Sequence, residues 1–147
     1  MQVNEAMTRE VRLTKPRQSI RAAAKIMAEI DAGALPVAER DRLVGMITDR
    51  DIAIRAVAAG KDADTPVREV MSRGVMYCFE DEELDHVAHN MGEMRIRRLP
   101  VLNRSKRLVG IISLGNIATA AGPDATGDAI GGVSKPGGPH SQSQGAA

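Results

Sequence analysis

RLVGMITDRDI at residues 42–52 and RLVGIISLGNI at residues 107–117 are two versions of one segment. Each runs from an apolar, β-branched stretch into a Thr or Ser. Three residues later comes Asp or Asn, and a helix-like run follows. Working outward from this pair, a shift of 65 positions holds it in register, and a shift of 64 aligns what precedes it. VNEAMTREV (3–11) then falls on VREVMSRGV (67–75), and LPV (35–37) on LPV (99–101). Between them Ala24, Met27 and Glu29 meet Ala88, Met91 and Glu93. Chance does not keep such register through a whole unit, so the chain is a tandem repeat up to about residue 122.

Both copies predict the same elements. Thr65-Pro66 caps a short opening helix. The extended pieces EVRLT and GVMYCF follow. Ser19 caps an amphipathic helix with Ile20, Ala23, Ala24, Met27 and Ile30 on one face, and Gly33 is placed to end it. In the second copy Leu84, Val87, Ala88, Met91 and Met94 form the matching face, with Asp81, Glu82 and Glu83 near the positive end of the helix dipole. Two strands around a charged turn, then a helix from Asp49 to Ala59, complete the unit. The fold class is α/β (α+β): two repeats, each about α-β-α-β-β-α, at 1–64 and 65–122. A unit of this size buries little surface alone. The two are therefore expected to pack by their sheet faces with pseudo-twofold symmetry.

The chain has 147 residues, 43% of them hydrophobic, with no Trp, one Tyr and one Phe. Its core must come from Ala, Val, Ile, Leu and the eight Met. A net charge of +1 gives no long-range pull on nucleic acid. The run MRIRRLPV lacks the aromatic platforms that RNA binding uses, so no nucleic-acid partner is expected. Cys78 stands alone, which excludes an internal disulfide and fits a reducing compartment. No apolar run suits a membrane span and MQVNEAMTRE is too polar for a secretory signal, so no membrane partner and a cytoplasmic location are expected. Residues 123–147 are rich in Gly, Pro, Ser and Gln and are expected to form a flexible tail. The tail's His140 has no ligand neighbours in sequence.

The repeat resembles the tandem CBS domain (Bateman module), in its small stand-alone CBS-pair form. LPV, RLVGMITDRDI and the V-x-E-V-M opening at 67–71 carry the resemblance, each repeated in order. It covers everything up to about residue 122. It implies a regulatory sensor that binds an adenosine-containing ligand (AMP, ADP or ATP, with S-adenosylmethionine also open) in the cleft between paired repeats. It also implies a homodimer and an effector protein that the sequence does not name. The amphipathic helices, through Ala23, Met27, Ile30, Met91 and Met94, are expected to supply the dimer contact.

Thr48 followed by Asp51 is also the signature of a helix capping box, which stabilises a helix by about 1 kcal/mol without any ligand. Three considerations favour a ligand. Ser113 and Asn116 repeat the spacing, the motif sits where a strand meets a helix N-terminus, and a carboxylate can accept from both ribose hydroxyls. Arg50 lies inside the motif. Asn116 replaces the acid, so the second site is expected to be weaker. The resemblance implies an adenine slot formed by Val11 and Leu13 with Leu35, Pro36 and Val37, and by Tyr77 with Pro100. It also implies a phosphate-side cation at Arg98. His86 and His89 are three apart, but a polar helix face explains them, and no metal is expected. Cys78 reads as a buried small hydrophobe.

No nucleophilic or paired-carboxylate arrangement is present, so the chain is read as a non-enzyme that requires no cofactor. CBS pairs also occur inside IMP dehydrogenase, whose barrel of at least about 200 residues has no room here. The leading function is therefore a nucleotide-sensing regulatory module. The alternative is a ligand-free interaction or scaffold module, with an enzyme a distant third.

Overall fold

Ser19 starts the first helix. In the computed structural model, which describes residues 1–120 and 122–134, its backbone is extended and its Oγ accepts the Ala22 N–H at 3.1 Å. Helix α1 (Ile20–Ile30) then turns Ile20, Ala23 and Met27 into the core. It ends at Asp31 in the left-handed region (φ 52°), and not at Gly33 as expected. A short polar side chain tolerates that conformation. Gly33 instead permits a close approach, because a Cβ there would lie 2.6 Å from Asp49 Oδ2.

The chain forms two compact units, one of Arg12–Val75 and one of Met1–Val11 with Met76 onward. In the Arg12–Val75 unit, β1 (Ala34–Glu39) pairs antiparallel with β2 (Arg42–Thr48). Arg40 and Asp41, both at positive φ, form the two-residue turn between them. The extended piece EVRLT yields only a parallel bridge, Thr14 to Val37. Helix α2 (Asp49–Asp51) continues directly into a π-helical segment, Ile52–Val57. In the other unit β3 (Cys78–Phe79) lies parallel to β4 (Arg98–Leu102), and β4 antiparallel to β5 (Leu108–Ser113). Helices α3 (Leu84–Met94), α4 (Leu114–Ala120) and α5 (Pro123–Val133) complete it. Both antiparallel ladders slip just past the Pro-Val pair, at Val37/Ala38 and Val101/Leu102. The repeat thus extends to its irregularities.

The opening segments are single 3-10 turns, Val3–Glu5 and Val67–Glu69. Each joins the core that holds the other copy's strands. Val3 and Met7 are buried with Leu84, Val87, Leu99 and Ile112, while Val67, Val70 and Met71 are buried with Ile20, Leu35 and Ile47. The segments also add main-chain pairing: Met46 exchanges hydrogen bonds with Ser72, and Ile111 with Thr8. This explains Gly45 and Gly110. A Cβ on Gly45 would lie 2.7 Å from the Met71 sulfur and 2.7 Å from the Ser72 carbonyl oxygen.

Part of the segment expected to be flexible is helical. Pro123 occupies the first turn of α5, where its fixed φ suits a helix. Ala129 is fully buried, and the Gly132 Cα lies against the Gly92 main chain of α3. The segment has few large apolar side chains to bury. Here glycine brings two backbones together, and main-chain contact does the packing. His140 lies outside the described residues. The dimer-contact expectation also changes, since Ala23, Met27 and Met91 face their own cores.

Candidate functional site

Strand β2 delivers Thr48 to the N-terminus of α2, and the local chemistry closes a capping box. The Asp51 N–H donates to Thr48 Oγ1 at 3.0 Å, and the Thr48 N–H donates to Asp51 Oδ2 at 3.0 Å. The capping reading of these residues is therefore correct as far as it goes. Two polar groups are left over. The Thr48 hydroxyl proton has no acceptor among the described residues. Among the described residues, Asp51 Oδ1 has only Arg55 as a charged neighbour, with Nε at 3.8 Å. The Asp51 side chain is 15% exposed, enough for a ligand atom to reach it.

Around that junction the structure brings together most of the expected residues of this copy. Ala34 pairs with Thr48 and Leu35 with Ile47 across β1 and β2, and Thr14 bridges Val37 on the other side. Leu13, Leu35, Pro36, Val37 and Thr48 thus lie on three neighbouring extended segments. Leu35, Pro36 and Val37 are buried, and Leu13 is half-buried. The main-chain N–H and C=O of Thr14 are taken by Pro36 and Ala38. Those of Leu13 have no partner among the described residues. Arg50 is exposed. Val11 belongs to the other compact unit.

The second motif is closed on itself. The Ser113 N–H and Oγ both donate to Asn116 Oδ1, at 2.9 and 2.8 Å, and the Asn116 N–H returns to Ser113 Oγ at 3.2 Å. Asn116 Nδ2 donates to Thr8 Oγ1 at 3.4 Å. The hydroxyl proton left over at Thr48 is consumed at Ser113. Arg98, exposed, faces Ser113 across the ladder, and Pro100 faces Ile111. Tyr77 is exposed and meets Phe79 edge-on at 5.6 Å between centroids.

Several features escaped the sequence reading. Arg104 stacks over Phe79 at 4.1 Å and grips Asp81 through two hydrogen bonds of 2.9 and 2.7 Å. That fork holds the Asp81 carboxyl below its usual range. Arg55 Nη1 reaches the carbonyls of Val70 and Met71 at 3.4 and 3.3 Å. Neither arrangement has a local motif, because the partners lie 15 to 23 residues apart. Cys78 is buried, and desolvation followed by the nearby Glu82 carboxylate pushes its thiol up to about 12. His86 lies 3.2 Å from the Asn90 amide, and His89 lies 2.9 Å from Asp128. Among the described residues, no group of three or more His, Cys, Asp or Glu could hold a metal ion. No helix there is long and apolar enough to cross a membrane.

Comparison with known proteins settles the family. The CBS domain profile matches residues 3–57 and 67–122. The chain belongs to the CBS domain family. It is 42% identical to the CBS domain-containing protein YhcV of Bacillus subtilis over 116 residues, spanning 79% of this chain and 82% of that one. Among solved structures it is similar to Hypoxic Response Protein I with two coordinated zinc ions. There the TM-score is 0.75 and the identity 35%, covering 82% of this chain and 98% of that one. The CBS domain pair of protein MJ0100, in complex with 5-methylthioadenosine and S-adenosyl-L-methionine, gives 0.71 and 33%, covering 81% and 94%. CBSX2 in complex with AMP gives 0.71 and 26%, covering 82% and 95%. This chain is a small CBS-pair protein of mixed α/β structure.

Proposed function

We propose that this CBS pair is a regulatory module of the cytoplasm that binds an adenosine-containing ligand at the Thr48–Asp51 junction. The observation that carries the reading is the contrast between the two motifs. The first satisfies its helix end and still has a hydroxyl donor and a carboxylate oxygen to offer, whereas the second spends its hydroxyl donor on Asn116 Oδ1 and has an amide nitrogen, turned to Thr8, in place of the second oxygen. A carboxylate suits a vicinal ribose diol, which presents two O–H donors. The free main-chain groups of Leu13 suit a base edge, and the next residue, Thr14, is fixed by its bridge to buried Val37. Exposed Arg50 is the proposed phosphate-side cation of the first copy, and exposed Arg98 that of the second. The complexes of MJ0100 and CBSX2 with adenosine compounds support the same ligand class. They leave AMP, ADP, ATP and S-adenosylmethionine as the set to test. The first site is the tighter of the two. The module works as a homodimer and passes occupancy to an effector protein, with no catalytic step.

A scaffold reading draws on the completed capping box, which gives Thr48 and Asp51 a structural role. A thermal-shift panel of AMP, ADP, ATP and S-adenosylmethionine separates the two. A ligand that binds only the folded chain adds about 2.7 kcal/mol at 100 times its dissociation constant. A panel with no shift at millimolar ligand would leave the scaffold reading in place.

A further inference from the structure

The second copy carries a helix for which the first has no counterpart. Helix α5 lies on α3, where His89, Gly92 and Glu93 face it and line a groove with Gly127, Asp128 and Gly131. The contact is close: a Cβ on Gly92 would lie 3.0 Å from the Asp128 carbonyl oxygen and 3.3 Å from the Ala129 Cα. His89 Nδ1 lies 2.9 Å from Asp128 Oδ2, with Glu93 at 3.6 Å from the other ring nitrogen. The groove still holds about 360 Å³.

The repeat supplies the comparison. At the positions of His89, Gly92 and Glu93, helix α1 has Lys25, Ala28 and Glu29, all exposed. Helix α5 therefore covers on one copy a face that is bare on the other. The first copy also exposes apolar residues on its helical segments. Ile54 and Val57 are 48% and 69% exposed and Ile30 is 37% exposed, whereas the second copy has polar Thr119 at the place of Ile54. Each face is charge-complementary to itself. A nitrogen base and a carboxylate four residues on flank one small residue. When two copies meet about a two-fold axis, the base of one can meet the acid of the other. Glu29 also takes Arg12 at 2.8 Å, through Oε2, which leaves its second oxygen.

We propose that α5 is an intramolecular cap on a self-association face. It occupies on α3 the place that a second copy of this chain would take, and Asp128 gives His89 the carboxylate the second copy would supply. The matching α1 face stays open and is the one through which capped chains associate. This inference does not depend on the nucleotide reading.

The test uses the full chain carrying Gly132→Leu. A Cβ at that position falls on the Gly92 main chain, so the substitution evicts α5 while raising its own helix propensity. Loss of amide protection over residues 127–133 would then report undocking and not a weakened helix. The expected result is that loss together with a rise of about twofold in weight-average mass by sedimentation equilibrium at equal concentration, since a new two-fold contact doubles the assembly. Asp128→Asn, which replaces only the carboxylate facing His89, should move both readouts the same way by less. Released α5 with unchanged mass would overturn the self-association face. Retained protection of α5 in Gly132→Leu would overturn the Gly92–Gly132 contact as its anchor.

Discussion

Replacing Asp51 with Asn gives the first motif the residue that the second copy already has. Asn116 shows what the fold makes of it: its Oδ1 accepts the Ser113 N–H at 2.9 Å, as Asp51 Oδ2 accepts the Thr48 N–H at 3.0 Å. The capping box therefore survives, and stability without ligand should hold within about 0.5 kcal/mol. Ligand binding should not. A hydrogen bond to a charged group contributes roughly 1.5–3 kcal/mol and a neutral one about 1. A ribose hydroxyl held by Asp51 Oδ1 should therefore lose about 1 kcal/mol, or roughly fivefold in affinity. A second effect adds to this. Ser113 Oγ donates to Asn116 Oδ1 at 2.8 Å, and Thr48 beside an Asn can close in the same way, withdrawing its hydroxyl proton from the ligand. Together these predict a loss of about tenfold in AMP or S-adenosylmethionine affinity with little change in melting temperature. Calorimetric titration and a ligand-free melt, run on wild type and Asp51→Asn, give both numbers. Unchanged affinity at unchanged stability would remove Asp51 from the binding surface. A large loss of stability without ligand would refute the equivalence of the two boxes.

Asp51→Glu should keep the box, since Glu is its usual third residue, yet push the carboxylate into the sugar. Melting temperature should hold while affinity falls. Asn116→Ala should change nucleotide affinity much less than Asp51→Ala, which is expected to cost at least about 1.4 kcal/mol; equal effects in calorimetry would contradict the ranking of the sites. Gly45→Ala places a methyl against the Met71 sulfur and the Ser72 carbonyl, a cost of about 1–3 kcal/mol in denaturant unfolding, because the carbonyl belongs to paired main chain. Cys78 should resist alkylation in the folded chain at pH 8. Its folded-state pKa is raised, so the stability it contributes is present below pH 9.0 and lost as pH climbs towards about 12. Rapid labelling of native protein would contradict its burial.

The sequence by itself determined what depends on local pattern. The tandem repeat, the strands around LPV and LVG, the Ser19 cap and the Thr48–Asp51 box all follow from side-chain periodicity and from hydrogen bonds spanning three residues. The residues at the first junction were legible for the same reason, as they sit on adjacent extended segments of one copy. Tertiary structure decided what depends on partners distant in the chain. The opening segment of each copy completes the core around the other copy's strands, so Gly45 and Gly110 answer to Met71–Ser72 and Met7–Thr8, far away in sequence. The difference between the motifs spans only three residues as well, but it lies in where one hydroxyl proton goes, left over at Thr48 and spent at Ser113, which residue type alone does not state. Composition suggested nothing to bury after Gly122, yet α5 packs there. Glycine carries no apolar signal in a sequence, and its contribution exists only when a second backbone comes close enough to touch it.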